Sequence, residues 1–302
     1  MLSYGDEQVA GEIRPLQIAA IAPVWILVFL GTLDLGMSYL AGYAFTGFSS
    51  ALAGVAVMAG ISHVYGRGGR NRAIADMAYY AAMWIAFTVL GSIFTYLMAR
   101  SRLPLFDDQF AGFDAAIGFD WLRWHGFLAA FRAVNMVLNI AYASPLLQIA
   151  ASVIYFSHIG QRERNAELLR IALVSLLFTG LVSAIFPALG AFHHFQADLP
   201  RATHLPHLLA LRDGSMNVFS LPQMKGIIAF PSFHTVMAIM FTYAFRGKGA
   251  WFLLIGLLNI LMLLSTPTFG GHYLVDMLSG ALTAGLAIYL VRRGRARPIC
   301  PQ

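Results

Sequence analysis

Apolar residues fall in long runs along this chain, and polar residues gather in the shorter stretches between them. A membrane's hydrocarbon core is about 30 Å thick and takes roughly 20 apolar residues of helix to cross. By that measure a first span runs from about Ile18 to Tyr39, with Asp34 inside it, and a second from about Phe48 to Tyr65. A basic, glycine-rich loop, Gly66 to Arg72, precedes a third from about Ile74 to Met98. The fourth runs from about Val134 to Phe156 across Pro145, and the fifth from about Leu168 to Leu189. A sixth runs from about Gly226 to Phe245, interrupted by Pro231. The seventh spans about Ala250 to Ser265 and the eighth about Tyr273 to Val291. The expected fold class is all-α: a polytopic membrane helix bundle of about eight transmembrane helices. No internal repeat, low-complexity segment or soluble domain stands out.

Two stretches break this pattern. From Arg100 to about Arg132, Leu103-Pro104-Leu105 ends a helix, and acids then alternate with aromatics: Asp107, Asp108, Phe110, Phe113, Asp114, Phe119, Asp120, Trp121 and Trp124. This reads as an amphipathic element lying in the membrane interface, where Trp and Phe are favoured. An aromatic-anchored connector is the plain account, and gathering lipid substrate the functional one. The second stretch, His193 to Lys225, is the longest polar segment between spans. Its His193, His194, His204 and His207, with Asp198, could in principle bind zinc. Their spacing fits no specific metal motif, so no metal is expected. The chain divides at this level into residues 1–132, spans plus the interfacial segment, and residues 133–302, a catalytic transmembrane core with a basic tail.

Composition supports the membrane reading. The 302 residues are 59% hydrophobic and 11% charged, with a mean hydropathy of +0.69; a soluble domain carries about 25% charge. The net charge of +6 does not point to nucleic acid, because the basic residues cluster between apolar segments. The one cysteine, Cys300, sits in the tail, so no intrachain disulfide framework and no cysteine-based metal site is expected. Met1 to Pro15 lacks the apolar core of a secretory signal, and the first apolar segment is expected to stay as a helix. Loop charge sets orientation. Arg67/Arg70/Arg72, Arg162/Arg164, Arg246/Lys248 and the tail alternate with loops that hold fewer basic residues for their length. The positive-inside rule places the latter set on the outer face.

That outer set carries the candidate chemistry. Phe230-Pro231-Ser232-Phe233-His234-Thr235 and Gly270-Gly271-His272-Tyr273-Leu274-Val275-Asp276 each place a histidine at the start of an apolar run. The stretch between them is long enough for one helix to cross inward and another to return, which brings the two imidazoles together. His272 and Asp276 are four apart, so on a helix they share a face, with Asp276 about 6 Å deeper. A histidine backed by a carboxylate and facing a second histidine suits nucleophilic catalysis with a separate general acid. Helix starts supply free N–H groups and a positive dipole end to phosphate. Ser232 can cap its helix or donate to phosphate, and Gly270-Gly271 lets backbone approach an anion. A lone intramembrane histidine is ordinarily a satisfied core residue. Three ionisable groups in this arrangement point to function.

The two motifs resemble those of the type 2 phosphatidic acid phosphatase (PAP2) superfamily, a Pro-Ser-Gly-His element followed by Ser-Arg-x5-His-x3-Asp. Pro231-Ser232-Phe233-His234 matches the first except at Phe233, and His272-x3-Asp276 matches the core of the second. Ser265 fills the serine position, Thr266 stands where the family has arginine, and the earlier Lys-x6-Arg-Pro element is not found. Phe233, the absent arginine and the eight spans look more like the inositolphosphorylceramide-synthase branch and its bacterial relatives. The resemblance, over about Leu189 to Leu290, implies a PAP2-like core, a two-step phosphoryl transfer and no metal or other cofactor. It makes His272 the nucleophile, Asp276 its orienting partner and His234 the acid and base. It implies a lipid-phosphate phosphatase at the periplasmic face of a bacterial inner membrane, with membrane lipids as its surroundings. A phosphotransferase moving a phospho-headgroup to a lipid alcohol fits as well. Phosphate still needs cations: Arg212 is the first candidate, Lys225 the second, and Arg201 lies nearby. A non-enzymatic lipid transporter is the remaining reading, but transport has no use for a nucleophile backed by a carboxylate.

Overall fold

The computed structural model describes residues 21–293. The polar opening stretch, the start of the first apolar segment and the basic tail past Arg293, Cys300 included, lie outside the described residues. The described chain is an all-α bundle with one small ribbon. In order come α1 (Pro23–Ala41), β1 (Ala44–Thr46), α2 (Ser49–Gly66), α3 (Arg72–Ala99), α4 (Asp107–Ala116), α5 (Trp121–Ala130) and α6 (Arg132–Tyr142). Then follow α7 (Pro145–His158), α8 (Arg162–Ile185), α9 (Ala191–His194), α10 (Leu205–Asp213), β2 (Val218–Ser220), α11 (Phe233–Ala244), α12 (Ala250–Gly270) and α13 (Leu274–Arg293).

Among these, α1, α2, α3, α8, α12 and α13 are each long and apolar enough to cross a membrane, and α6 with α7 makes a seventh if the bent pair is one span. The pair bends by 51°, because Pro145 has no N–H to continue the ladder and instead starts α7. The sixth expected span is shorter than the apolar run. Residues 226–232 are irregular, and α11 starts at Phe233 behind Ser232, whose Oγ accepts the Thr235 N–H. The fifth starts earlier than hydropathy indicates. Its polar first turns are paired inside the bundle: Asn165 donates to Ser157 Oγ at 3.0 Å, and Glu167 accepts from Arg246 at 2.6 Å and from the Tyr243 hydroxyl. The seventh runs on through Pro267 to Gly270.

At the centre stands α8, buried without a break from Asn165 to Leu176. A helix apolar on every side belongs in the middle of a bundle, and α3, α7, α11 and α13 pack around it. Polar contacts tie the surrounding helices together. Gln148 donates to Asn259 Oδ1 and Asn259 to Thr242 Oγ1, both at 2.9 Å, linking α7, α12 and α11. Outward faces are apolar, with Leu40, Leu253 and Leu282 exposed as a lipid-facing surface requires. Arg162, Arg164 and Arg246 meet Asp76, the Ala244 carbonyl and Glu167 at the end of the bundle opposite the two histidines. At the histidine end, β1 and β2 pair in parallel, Ala44 with Val218 and Thr46 with Ser220.

The first turn of α11 crosses α13 at Gly280. A Cβ there would collide with the Ser232 carbonyl oxygen and lie 3.0 Å from the Thr235 Cβ. A backbone atom cannot step aside as a flexible side chain can, so Gly280→Ala should cost about 1–3 kcal/mol. Gly285 has open space around its Cα, and Gly285→Ala should gain up to about 1 kcal/mol in helix propensity. Thermal unfolding of the two variants in detergent reads the contrast as a lowered midpoint for the first and an unchanged or raised one for the second.

Candidate active site

The two motifs meet through the backbone before their side chains meet. Ser232 N–H donates to the Asp276 carbonyl at 2.9 Å, so the start of α11 is fixed against the first turn of α13. Ser232 is fully buried and its Oγ serves as the cap of α11. Two residues on, the His234 ring stacks on Tyr142 at 4.1 Å and 14°. Tyr142 ends α6, so the break ahead of Pro145 is what presents its ring there. The His234 and His272 ring centroids lie 6.4 Å apart.

His272 pairs with Asp276, Nδ1 to Oδ2 at 3.2 Å, with 4% and 0% of the two residues exposed. The pairing is not that of a helix face. Because α13 begins at Leu274, His272 lies ahead of it. Gly271, at φ 64°, turns the chain, and Asp276 reaches back from the first turn to take both His272 and the Tyr273 N–H at 2.9 Å. This is the reach-back half of a capping box. A carboxylate only accepts, so Nδ1 carries the proton and the Nε2 lone pair faces away from Asp276. Gly270 makes room for the imidazole: a Cβ there would fall 2.5 Å from the ring and 2.9 Å from the Tyr142 hydroxyl. At Gly271 a Cβ would strike the Phe192 ring.

The stretch read as interfacial does more than lie at the surface. The Asp107, Phe110 and Asp114 side chains of α4 point inward and are buried. Residues seven apart share a helix face, and the two carboxylates clamp two segments of the site. Asp107 accepts Leu189 N–H at 2.9 Å, Gly190 N–H at 2.8 Å and the Tyr273 hydroxyl at 2.9 Å. Asp114 accepts Leu274 N–H at 2.7 Å and Val275 N–H at 3.0 Å. Burial pushes the Asp114 carboxyl above the usual carboxylate range, and the two amide bonds oppose that. The amides of Tyr273, Leu274 and Val275 are thus all taken by carboxylates. This overturns the expectation that both helix starts offer free N–H groups to phosphate; at α13 they are occupied. On α5, the Trp121 indole donates to the Pro267 carbonyl at 3.2 Å, and its ring lies between those of His125 and Phe195.

The basic residues separate by geometry. Arg212 donates to the Ser101 and Leu103 carbonyls, the latter at 2.8 Å. Lys225 is exposed and its backbone N–H donates to the Tyr96 hydroxyl at 3.0 Å. Arg201 Nε forms an ion pair with Asp198 Oδ2 at 2.9 Å, and its guanidinium lies 4.9 Å over the Phe269 ring. Thr266, at the family's arginine position, is buried with its hydroxyl donating to the Met262 carbonyl. The loop histidines have dispersed. His207 bonds the Tyr96 hydroxyl at 2.7 Å, His194 faces Asp108 at 3.4 Å, and His204 lies near the Leu189 backbone. Burial holds the His204 pKa below its ordinary value, and repulsion from His272 adds to this. Among the described residues no group of three or more His, Cys, Asp or Glu could hold a metal ion.

Sequence reasoning missed Tyr142, Asp107, Asp114 and Gly280. The two aspartates left a signal, a seven-residue spacing with Phe110 between them. Tyr142 and Gly280 left none.

An imidazole with a free nitrogen and a carboxylate behind it, facing a second imidazole, can hold a nucleophile and a proton donor on two sides of one small group. The PAP2 superfamily model matches residues 108–290, from α4 to the last turns of α13. Members of that superfamily are phosphatases or phosphotransferases. No curated protein and no solved structure matches the chain. The family match covers more than half of the sequence and takes in His234, His272 and Asp276, and on it the chain belongs to the PAP2 superfamily.

Proposed function

We propose that this protein is a lipid-phosphate phosphatase working through a phosphohistidine, with the His272–Asp276 pair facing His234 as the observation that carries the reading. His272 attacks phosphorus through Nε2, and the bond from phosphorus to the leaving oxygen breaks. His234 gives its proton to that oxygen. In the second step His234 takes a proton from water, which displaces the imidazole and frees phosphate. Asp276 holds the tautomer and stabilises the positive charge that forms on His272. The nucleophile is a side chain, and no step needs a metal. The start of α11, with Ser232 as its cap, and the turn at Gly271 border the phosphate. Asp107 and Asp114 are positioning residues, because they hold the segments on which His272 and Tyr273 sit.

One observation favours a second reading, transfer of a phospho-headgroup to a lipid alcohol as in the inositolphosphorylceramide-synthase branch. Three buried carboxylates, Asp107, Asp114 and Asp276, line the site, and the family's arginine position holds Thr266. A phosphodiester, with one negative charge, is tolerated there better than a phosphomonoester dianion. The reaction faces the outer side of the membrane in either case. The basic loops at the opposite end of the bundle support that orientation.

Four measurements test this. Asp276→Asn should lower turnover of a responsive lipid phosphate by on the order of 10²–10³. His272→Ala should abolish the acid-labile phosphoenzyme in rapid quench, and a folded His272→Ala protein that still forms it would exclude the assigned nucleophile. Asp114→Ala strands the Leu274 and Val275 amides and should lower stability by about 1–3 kcal/mol, read as a lower unfolding midpoint, with Asp114→Asn recovering part of it. Cysteines at the exposed positions Ser215 and Ala250, in a Cys300→Ser background, report orientation with an impermeant thiol reagent. Ser215→Cys should label in intact cells and Ala250→Cys only after lysis; the reverse pattern inverts the topology.

A further inference from the structure

A phosphoryl-transfer site needs a cation for the phosphate oxygens, and the usual arginine position here is a buried threonine. We propose that Arg201, held by Asp198 and stacked on Phe269, is the residue that pairs with the phosphate anion of the substrate. The proposal rests on the reading of the site as a phosphoryl-transfer centre and names the anion-binding group within it.

The other basic side chains at the histidine end are engaged elsewhere or stand apart. Arg212 is tied to two backbone carbonyls. Arg100 lies 5.1 Å over the Tyr43 ring. Arg102 sits against Gly214 and Asp213. Arg123, Arg132 and Lys225 are exposed.

Arg201 differs in both position and free capacity. Its stacking partner Phe269 immediately precedes Gly270, the residue against which the His272 ring rests. The Phe269 ring lies 6.0 Å from that of Tyr142, and Tyr142 stacks on His234. Three residues past Arg201, His204 lies within electrostatic reach of His272. The segment from Asp198 to His204 therefore borders the site. Only Nε of the guanidinium is committed, to Asp198. The two terminal nitrogens have no hydrogen-bond partner among the described residues, and the side chain is 39% exposed. That leaves the edge of the fork that grips a phosphate with two parallel bonds. Asp198 is itself supported from behind by His125, at 3.6 Å, whose ring stacks on the buried Trp121. The cation is thus set in place before a ligand arrives, which lowers the ordering cost of binding.

Vanadate, a phosphate mimic, tests this by direct titration of the purified protein in detergent, without reliance on turnover. Arg201→Ala should weaken vanadate binding by on the order of 10–100-fold, with the unfolding midpoint close to wild type. Arg201→Lys should fall between the two, since it keeps the charge and loses the fork. Arg201→Gln retains a stem and a polar head without charge, and replaces the alanine variant if that one does not fold. Arg123→Ala, an exposed guanidinium on the same side, should bind vanadate as wild type does. Wild-type affinity in the Arg201 variants, no vanadate binding by wild type, or an equal loss in Arg123→Ala would each overturn the proposal. Arg201-dependent vanadate binding in a protein that turns over no lipid phosphate or phosphodiester would leave the anion site standing and bring down the enzymatic reading.

Discussion

The carboxylate and carbonyl of Asp276 hold this site together. One oxygen takes the His272 ring and the Tyr273 amide, and the main-chain carbonyl takes the Ser232 amide. A single residue thereby fixes the second histidine, starts α13 and anchors the helix that carries the first histidine. A carboxylate with no exposed surface inside an apolar bundle is unfavourable unless it is paired in this way. The close crossing at Gly280 follows from the same constraint, because the Ser232–Asp276 bond forms only if the two backbones come within reach.

Around this centre the chain uses acids where a phosphate site would be expected to use bases. Asp107 and Asp114 spend their charge on main-chain amides of Leu189, Gly190, Leu274 and Val275. Charge-assisted bonds to amides are among the stronger hydrogen bonds available to a protein. They give the two loops bordering His272 a rigidity that short apolar segments would lack. They also fill the positive end of α13 with protein carboxylate. Of the two helix starts that carry the histidine motifs, the start of α13 is thus closed by carboxylates.

The bundle and the meeting of His234, His272 and Asp276 were legible in the chain, for a definite reason. Apolar runs of spanning length and the His234, His272 and Asp276 spacings are local patterns, and local patterns survive in a sequence. What was lost is what depends on partners far along the chain. Asp114 bonds amides 160 residues away, so its alternation with aromatics looked like an interfacial helix. Tyr142 looked like one apolar residue of a continuous span, because only the folded bend carries its ring to His234. The His272–Asp276 pair was anticipated through helical geometry, yet it forms by a reach-back across a turn. Proximity in sequence to the first motif favoured Arg212, whereas its guanidinium turns to the carbonyls of the Ser101–Leu103 loop.

The small parallel ribbon bears on modularity. β2 lies inside the stretch that matches the family, and β1 lies well before it. Neither three-residue strand can exist without the other. Phe219 of β2 packs on Tyr43, Phe45 and Tyr96, all of which precede residue 108. The Tyr96 hydroxyl also receives the Lys225 amide and bonds His207. The stretch that matches the family is therefore completed by contacts from residues that precede it. A truncation at residue 108 would remove the floor beneath the loop that leads into α11.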